Sequence, residues 1–409
     1  MGDRLTLQLM DMAHGGEAVG KHERKVIFVP YAIPGESVRV EIIEDRGRFA
    51  RARVLQVLEA SPRRVQAPCP YFGVCGGCQW QHLAYEAQLE YKRSIVLTQL
   101  QRIAGLSEAD VRPTLGMETP WRYRNRVQFH ASDDGQLGFM AANSHDVIPV
   151  EQCLLMHPLL ESVFDALDME LPDLLSLSLR AGIHTGDQMV VFEMGSDQPP
   201  ELELDLPVSC VLLLSDGTPV TLVGSPYLHE QVAGRQYRIS APSFFQVNTL
   251  QAEVLALQVL SALKPEPDSV VLDGYCGVGV FALGLAALAR QVIGVEVSTS
   301  AIADAQANAA GLGNVSFVCG TVRKILPTLE LTEPLVVVDP PRAGLDGPAL
   351  AALLKLAPTR VVYVSCDPAT LARDVKVFLT AGYQLRAVQP IDMFPQTYHI
   401  ETVTLLERA

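Results

Sequence analysis

The chain has 409 residues, 48% of them hydrophobic, with 30 glycines, 27 prolines and 8 cysteines. That length predicts about two to four domains, and the composition excludes long disorder, collagen, coiled-coil and disulfide-scaffold classes. The formal net charge of −14 speaks against a nucleic-acid partner, but the charge is uneven: residues 1–130 carry 18 basic and 14 acidic side chains, residues 131–230 carry 1 and 17, and residues 231–409 carry 13 and 15.

Residues 1–58 read as a small β module. Leu5-Thr6-Leu7-Gln8-Leu9 and Ser37-Val38-Arg39-Val40-Glu41-Ile42 alternate, Val26-Ile27-Phe28-Val29 is a short apolar run, and Pro34-Gly35 marks a turn. Short strands with Gly/Pro turns in this length predict a barrel of the OB kind, a common nucleic-acid platform. Residues 46–130 hold 13 basic against 6 acidic side chains, among them Arg46, Arg48, Arg51, Arg53, Arg63, Arg64, Arg122, Arg124 and Arg126. The guanidinium fork suits phosphate, so the first third is expected to face a polyanion, with a solvated face as the plain alternative. Trp121-Arg122-Tyr123-Arg124-Asn125-Arg126 interleaves aromatics and cations as an RNA surface would, with a cross-strand alternation of core and solvent positions as the equal alternative.

Cys69, Cys75 and Cys78 form a compact cluster with Gly73, Gly76 and Gly77, and Cys153 is a fourth candidate 75 residues further on. No apolar run approaches the ~18 residues of a membrane span, and the N-terminus lacks an apolar signal segment. A cytoplasmic location without a membrane partner is therefore expected, and there such cysteines mean metal and not disulfides. Four thiolates suit zinc or a [4Fe–4S] cluster equally. Glu86 to Ile103 reads as a helix with Leu89, Val96, Leu100 and Ile103 on one face and Gly105 as its stop. Residues 112–240 return to short strand-like runs and a mostly β region.

From about residue 240 strands and helices alternate. Ser269–Asp273, Gln291–Glu296, Leu335–Asp339 and Arg360–Cys366 are near-continuous apolar strands, the pattern of a parallel sheet covered on both faces. Helices are expected over Val280–Arg290 and from Ser298 to the Gly311/Gly313 stop. Asp273-Gly274-Tyr275-Cys276-Gly277-Val278-Gly279 follows a strand and opens a helix, and Glu296 ends the next strand 23 residues on. An acidic residue there can accept from both ribose hydroxyls. With Ala282 in place of a third glycine, a nicotinamide dinucleotide is disfavoured and S-adenosylmethionine favoured.

Asp339-Pro340-Pro341-Arg342 is similar to the Asn/Asp-Pro-Pro-aromatic motif of amino-group methyltransferases, but Arg342 replaces the aromatic. Together with Phe244-Phe245-Gln246-Val247-Asn248, Asp273–Gly279, Asp339-Pro340-Pro341-Arg342-Ala343-Gly344, Val364-Ser365-Cys366-Asp367-Pro368 and His399-Ile400-Glu401-Thr402, the sequence strongly resembles the RNA uracil-5-methyltransferase family over nearly its whole length. Val280 and Thr321 depart from the residues frequent in that family.

The resemblance implies a TRAM-type barrel over 1–58, a central β domain over 59–238 carrying the cysteines, and a Rossmann-like methyltransferase domain over 239–409, with the helix of 84–110 packed on the last. The expected fold class is thus α/β with an N-terminal OB-type barrel and a central, mostly β iron–sulfur domain. The resemblance further implies that Gln246, Tyr275, Glu296 and Asp339 contact S-adenosylmethionine, that Cys366 is the nucleophile and Glu401 the base that removes a proton, and that Cys69, Cys75, Cys78 and Cys153 hold a [4Fe–4S] cluster. Uracil C5 is a poor nucleophile, and thiolate addition at C6 makes it electron-rich, so one Cys and one base are what the reaction needs. The extra β module and cysteines point first to 23S ribosomal RNA as partner, with a transfer RNA T-loop uracil as the alternative. No obligate protein partner is indicated. Readings from other classes are a non-catalytic RNA-binding module with structural zinc and a radical iron–sulfur methylthiotransferase. Cytosine-5 methyltransferases carry a Pro-Cys pair where this chain has Pro340-Pro341.

Overall fold

The computed structural model describes residues 3–132, 134–142, 144–168, 173–201, 203 and 205–409. β1 (Arg4–Met12), β2 (Ala18–His22), β3 (Lys25–Val29), β4 (Ser37–Asp45) and β5 (Phe49–Glu59) close into a barrel in the order β1-β2-β3-β5-β4. Alternation sends Leu7, Leu9, Ile27, Val29, Val38, Val40, Ala50 and Ala52 inward. The turn between β1 and β2 leaves the barrel and touches the far end of the chain. A Cβ on Gly16, whose φ is +83°, would lie 2.6 Å from the Tyr398 Cβ, so the approach requires glycine. Trp80 Nε1 donates to the Gly16 carbonyl at 3.0 Å.

The cysteine-bearing loop leads into α1 (Tyr85–Gln99), which widens to a π turn over Leu100–Ala104 and stops at Gly105 in the left-handed region. The sequence placed Leu89, Val96, Leu100 and Ile103 on the inner face. The structure keeps Val96 and Leu100 buried and adds Ala87, Gln88, Lys92 and Ile95 to that face, while Leu89 and Ile103 are half-buried. Two polar residues point inward because each has a partner there, described below. The helix packs on Pro368–Thr380 and Tyr383–Ile391 of the C-terminal region.

A seven-stranded sheet follows, ordered β12-β11-β10-β9-β6-β7-β8, from β6 (Arg126–Ala131), β7 (Leu137–Met140), β8 (Val147–Pro149), β9 (Leu174–Ala181), β10 (Gln188–Met194), β11 (Ser209–Leu213) and β12 (Pro219–Val223). α2 (Pro158–Phe164) covers it; Phe129 stacks between Phe139 and Phe164 at 4.8 and 4.7 Å. The hairpin of β13 (Tyr227–Val232) and β14 (Arg235–Ser240) comes next.

The C-terminal region alternates α3 (Thr249–Leu263), β15 (Val270–Gly274), α4 (Val280–Ala286), β16 (Gln291–Glu296), α5 (Thr299–Asn308), β17 (Val315–Cys319), α6 (Val322–Ile325), β18 (Leu335–Val338), α7 (Gly347–Lys355), β19 (Arg360–Ser365), α8 (Pro368–Thr380), β20 (Tyr383–Ile391) and β21 (Glu401–Arg408). The sheet order is β17-β16-β15-β18-β19-β21-β20, with β15 to β19 parallel and β21 antiparallel to both neighbours. Neighbouring strand residues enter opposite cores, Val336 and Val338 one and Val337 the other, which is why these strands are apolar throughout. α4 is shorter than its apolar pattern: Asn314 Nδ2 donates to the carbonyls of Ala286 and Ala289 at 2.8 and 2.9 Å and ends it. The strand order runs outward in opposite senses from β15 and β18, and a ligand crevice belongs at the carboxyl edge of that switch point. Among the described residues no helix is long and apolar enough to cross a membrane.

Candidate active site and cysteine cavity

At that edge β15 ends in Asp273-Gly274 and the chain turns through Tyr275 (φ +66°), Gly277 (φ +52°) and Gly279 (φ +93°) into α4. A Cβ on Gly277 would meet nothing within 4 Å, so its open face borders free space. Glu296, at the tip of β16, leans over this turn and accepts from the Gly277 amide at 3.2 Å and from the Val297 and Ser298 amides at 2.6 and 2.8 Å. Asp273 is fully buried; one carboxyl oxygen accepts from the Ala282 amide at 2.8 Å and the other has no partner. Thr321 Oγ1 is likewise buried and unpartnered. Unsatisfied buried polar atoms beside a glycine turn are what a polar ligand would complete. Gln246 lies in the segment before α3, where Asn125 Nδ2 donates to its carbonyl at 2.9 Å.

Three further groups gather next to this turn. Cys366 follows β19, Asp339 follows β18, and Glu401 opens β21, whose first residues pair with the ends of β19 and β20. The Cys366 turn is pinned: Thr402 Oγ1 donates to the Ser365 carbonyl at 3.1 Å, and the Asp367 carboxylate caps α8 by accepting from the Ala369 and Thr370 amides at 3.0 and 2.9 Å. Its other oxygen lies 3.5 Å from His14 Nε2 of the barrel turn and 3.6 Å from Arg342 Nε. Burial, and then the neighbouring Glu296, push the Asp339 carboxyl up to about 7. Burial and Asp339 raise that of Glu401, one of whose oxygens is buried without a partner. Burial, followed by the Glu401 and Asp339 carboxylates, pushes the Cys366 thiol up to about 12. The cluster is short of positive charge, so a cation bound among these acids would favour thiolate and carboxylates alike.

The second site adjoins the first, since His14, which reaches Asp367, also lines it. Cys69, Cys75, Cys78 and Cys153 line one cavity of about 990 Å³ between the barrel turn, the cysteine loop, the edge of the β6–β8 sheet and Tyr398. All four are free and half-buried. Burial raises the Cys75 and Cys153 thiols and lifts Cys78 to about 12. Among the described residues no three His, Cys, Asp or Glu side chains close around one ion position; the thiols rim a wider space. Arg124 also lines it, with its Nε buried and unpartnered.

Comparison with known proteins places the chain. A family model described as tRNA (Uracil-5-)-methyltransferase matches residues 220–323 and 326–409, and a TRAM domain model matches residues 2–55. An uncharacterized RNA methyltransferase of Halalkalibacterium halodurans is 38% identical, covering 99% of this chain and 97% of its own, and one of Listeria innocua is 37% identical over 100% and 98%. The chain belongs to the RNA uracil-5-methyltransferase family. A crystal structure of Pyrococcus abyssi tRNA (uracil-54, C5)-methyltransferase in complex with S-adenosyl-L-homocysteine is 27% identical, covering 98% of this chain and 100% of that one, with a TM-score of 0.76.

This uracil-5-methyltransferase is an S-adenosylmethionine-dependent RNA methyltransferase with an N-terminal TRAM barrel. In its structure Tyr275, Glu296, Asp339, Cys366 and Glu401 share the carboxyl edge of one sheet, and Cys69, Cys75, Cys78 and Cys153 share one cavity. One expectation is corrected. The 121–126 run is no open RNA face: Tyr123 and Asn125 are buried, Arg124 faces the cysteine cavity, and exposed Arg122 pairs with Glu161. Other arginines expected to face a polyanion already have acids, Arg46 with Glu44, Arg53 with Glu41, Arg63 with Glu90 and Arg64 with Glu36. Sequence reasoning also missed His14 and the buried pair of Lys92 with Asp392, in which Lys92 Nζ donates to Asp392 Oδ1 at 2.5 Å with neither side chain exposed. Their only signal is a lysine on an apolar helix, which the polar surface explains as well.

Proposed function

We propose that this methyltransferase adds a methyl group to uracil C5 in RNA through a covalent Cys366 adduct, with 23S ribosomal RNA as the first substrate to test. The observation that carries the reading is the gathering of Cys366, Glu401 and Asp339 at one sheet edge beside the Gly277 turn. The Cys366 sulfur adds to C6 of the flipped base, and the ring electrons move to C5. S-adenosylmethionine, held by Gln246, Tyr275, Glu296 and Asp339, supplies the activated methyl. Glu401 then takes the C5 proton; the C–H electrons restore the C5–C6 double bond and expel the Cys366 thiolate. Burial raises the Asp339 and Glu401 carboxyls and the Cys366 thiol, and a cation bound beside them would lower all three, which ties activation of the thiol to a loaded site. Replacement of Cys366 by Ala should lower methyl transfer by on the order of 10⁴-fold or more and abolish the denaturation-resistant adduct with 5-fluorouridine RNA. Retained transfer would remove this mechanism.

The Pyrococcus abyssi relative's description as a tRNA (uracil-54, C5)-methyltransferase favours transfer RNA as the second reading. Mass mapping of 5-methyluridine in both RNAs, from cells with and without the protein, separates them. The division into 1–58, 59–238 and 239–409 is the proposed domain organisation; limited proteolysis should cut near the exposed Glu59 and spare the buried β14 around Ile239.

Cys69, Cys75, Cys78 and Cys153 are proposed to hold a [4Fe–4S] cluster, whose role is to order their loop. Support comes from the four thiols rimming a wide cavity and from the Arg124 guanidinium facing it, a permanent positive charge where an anionic cluster would sit. A lone zinc needs thiolates at ~2.3 Å from one point. Anaerobic reconstitution should give about four irons per chain and broad visible absorbance; colourless protein with one zinc would overturn the assignment.

A further inference from the structure

Nine residues, Asp392–Ile400, join β20 to β21 and deliver Glu401. Within them Gln396 is buried and has φ +70°. A side chain other than glycine holds that conformation only where its surroundings over-determine it. Those surroundings come from the other end of the chain, in the segment that follows Cys78. The Gln396 amide donates to Gln88 Oε1 at 3.0 Å, and its carbonyl accepts from the Gln79 and Trp80 amides at 3.1 and 3.0 Å. Its side-chain oxygen accepts from Gln88 Nε2 at 3.0 Å. Gln88 is fully buried, and the same amide nitrogen donates to the carbonyls of Leu83 and Trp80 at 2.9 and 3.2 Å. Gln79 is tied back to the cysteine loop, its Nε2 donating to the Gly76 carbonyl at 2.7 Å.

The residues before Gln396 are held from outside the hairpin as well. Lys92 grips Asp392 and donates to the Phe394 carbonyl at 3.1 Å, the Tyr85 hydroxyl donates to Asp392 Oδ2 at 2.7 Å, Asn248 Nδ2 donates to the Met393 carbonyl at 3.0 Å, and the Tyr123 hydroxyl donates to the Pro395 carbonyl at 3.1 Å. The connection that ends in Glu401 is thus shaped by the stretch that begins at Cys78. Burial leaves Glu401 no solvent path by which to correct a misplaced carboxylate.

We infer that Gln88 and Gln396 are positioning residues for proton removal: the segment after the cysteine loop sets the Glu401 carboxylate through the backbone of Gln396. The inference rests on Glu401 being the base, as proposed above, and it assigns to the cysteine loop a catalytic consequence beyond holding a cluster. Cys366 reaches the site on β19 and α8 and has no hydrogen bond to Gln88 or Gln396; the latch meets it only indirectly, through the packing of α1 on α8 and the Thr402 bond to Ser365. Loosening the latch should therefore slow the step that belongs to Glu401 and spare the one that belongs to Cys366.

The test uses the full-length protein with its cysteine site loaded. With 5-fluorouridine RNA and S-adenosylmethionine, the fluorine blocks proton removal, so adduct formation reports sulfur attack and methyl transfer alone. With ordinary uridine RNA, turnover needs all three. For Gln88→Leu we expect turnover to fall about ten- to a hundredfold, the cost of a carboxylate displaced by roughly 1 Å. The 5-fluorouridine adduct should form at the wild-type rate, while a methylated protein–RNA adduct accumulates on ordinary substrate. Turnover and trapping falling together, or neither falling, would overturn the inference while leaving the Cys366 mechanism standing. A wild-type protein that forms no adduct would overturn both. Should Gln88→Leu not fold, Gln396→Gly answers the same question. Glycine accepts the positive φ, keeps the bonds to Gln79, Trp80 and Gln88 through its backbone, and loses only the side-chain bond, so the same split should appear with a smaller drop; an equal loss in both assays would overturn the inference.

Discussion

The carboxyl edge of the last sheet and the cysteine cavity both collect buried ionisable groups, and they leave opposite charges wanting. At the sheet edge Asp339 and Glu401 lie beside Cys366, with Asp273 buried at the glycine turn, and burial holds the three acids toward their protonated forms. In the cavity Arg51 has Glu17 while the Arg124 Nε is buried without a partner, and burial raises the Cys75, Cys78 and Cys153 thiols. One site is arranged for a cation and the other for an anion. With the proposed cluster in the cavity, two bound groups of opposite sign would each meet a charge of their own.

The largest test of that contrast strikes the wall between the two regions. Lys92 and Asp392 are fully buried partners joining α1 to the Glu401 connection. Replacing one of them, as in Lys92→Met, leaves an unpaired buried charge and should cost about 3–5 kcal/mol in chemical denaturation. Lys92→Met with Asp392→Leu should recover much of it. A smaller effect should be confined to the sheet edge. The Asp339 carboxyl is near 7 in the folded chain against 3.8 when free, so between those values the folded state holds the extra proton. The stability of the cofactor-free protein is undiminished below the lower value and declines as pH rises toward the upper one. S-adenosylmethionine, a sulfonium cation, should gain affinity over neutral S-adenosylhomocysteine by up to about tenfold between pH 6 and 8. Calorimetric titration of both ligands checks this, and a flat ratio would break the charge argument. The smallest effect should be confined to the cavity. Arg124→Met should change the unfolding free energy of the metal-free protein by no more than about 1 kcal/mol and leave cofactor affinity alone. It should speed loss of iron to a chelator from the loaded protein.

Much of the fold could be read before the structure. The alternation of β1 and β4, the apolar strands β15, β16, β18 and β19, and the glycine turn after Asp273 each signal themselves locally, through period and turn chemistry. What could not be read depends on partners distant in the chain. Gln88 and Lys92 looked like solvent positions on α1 because their partners, Gln396 and Asp392, lie about 300 residues away. The run at 121–126 reads as a surface of aromatics and cations, whereas it alternates, with Tyr123 and Asn125 buried and Arg122 exposed; composition alone does not separate the two. The arginines of the first third were countable, but their carboxylate partners were not. The active-site residues were legible because their motifs sit at strand ends; His14, which reaches Asp367 from the barrel, carries no motif.

The contact of Gly16 with Tyr398 and Trp80 makes the barrel something other than a detachable cassette. Cutting it away would strip the acceptor from a fully buried indole and open the floor beneath the aromatic residues that precede Glu401. Engineering this enzyme toward a new RNA by swapping only its N-terminal module would have to graft the Gly15-Gly16 turn along with it, since that turn serves the recipient as a missing piece of its own interior.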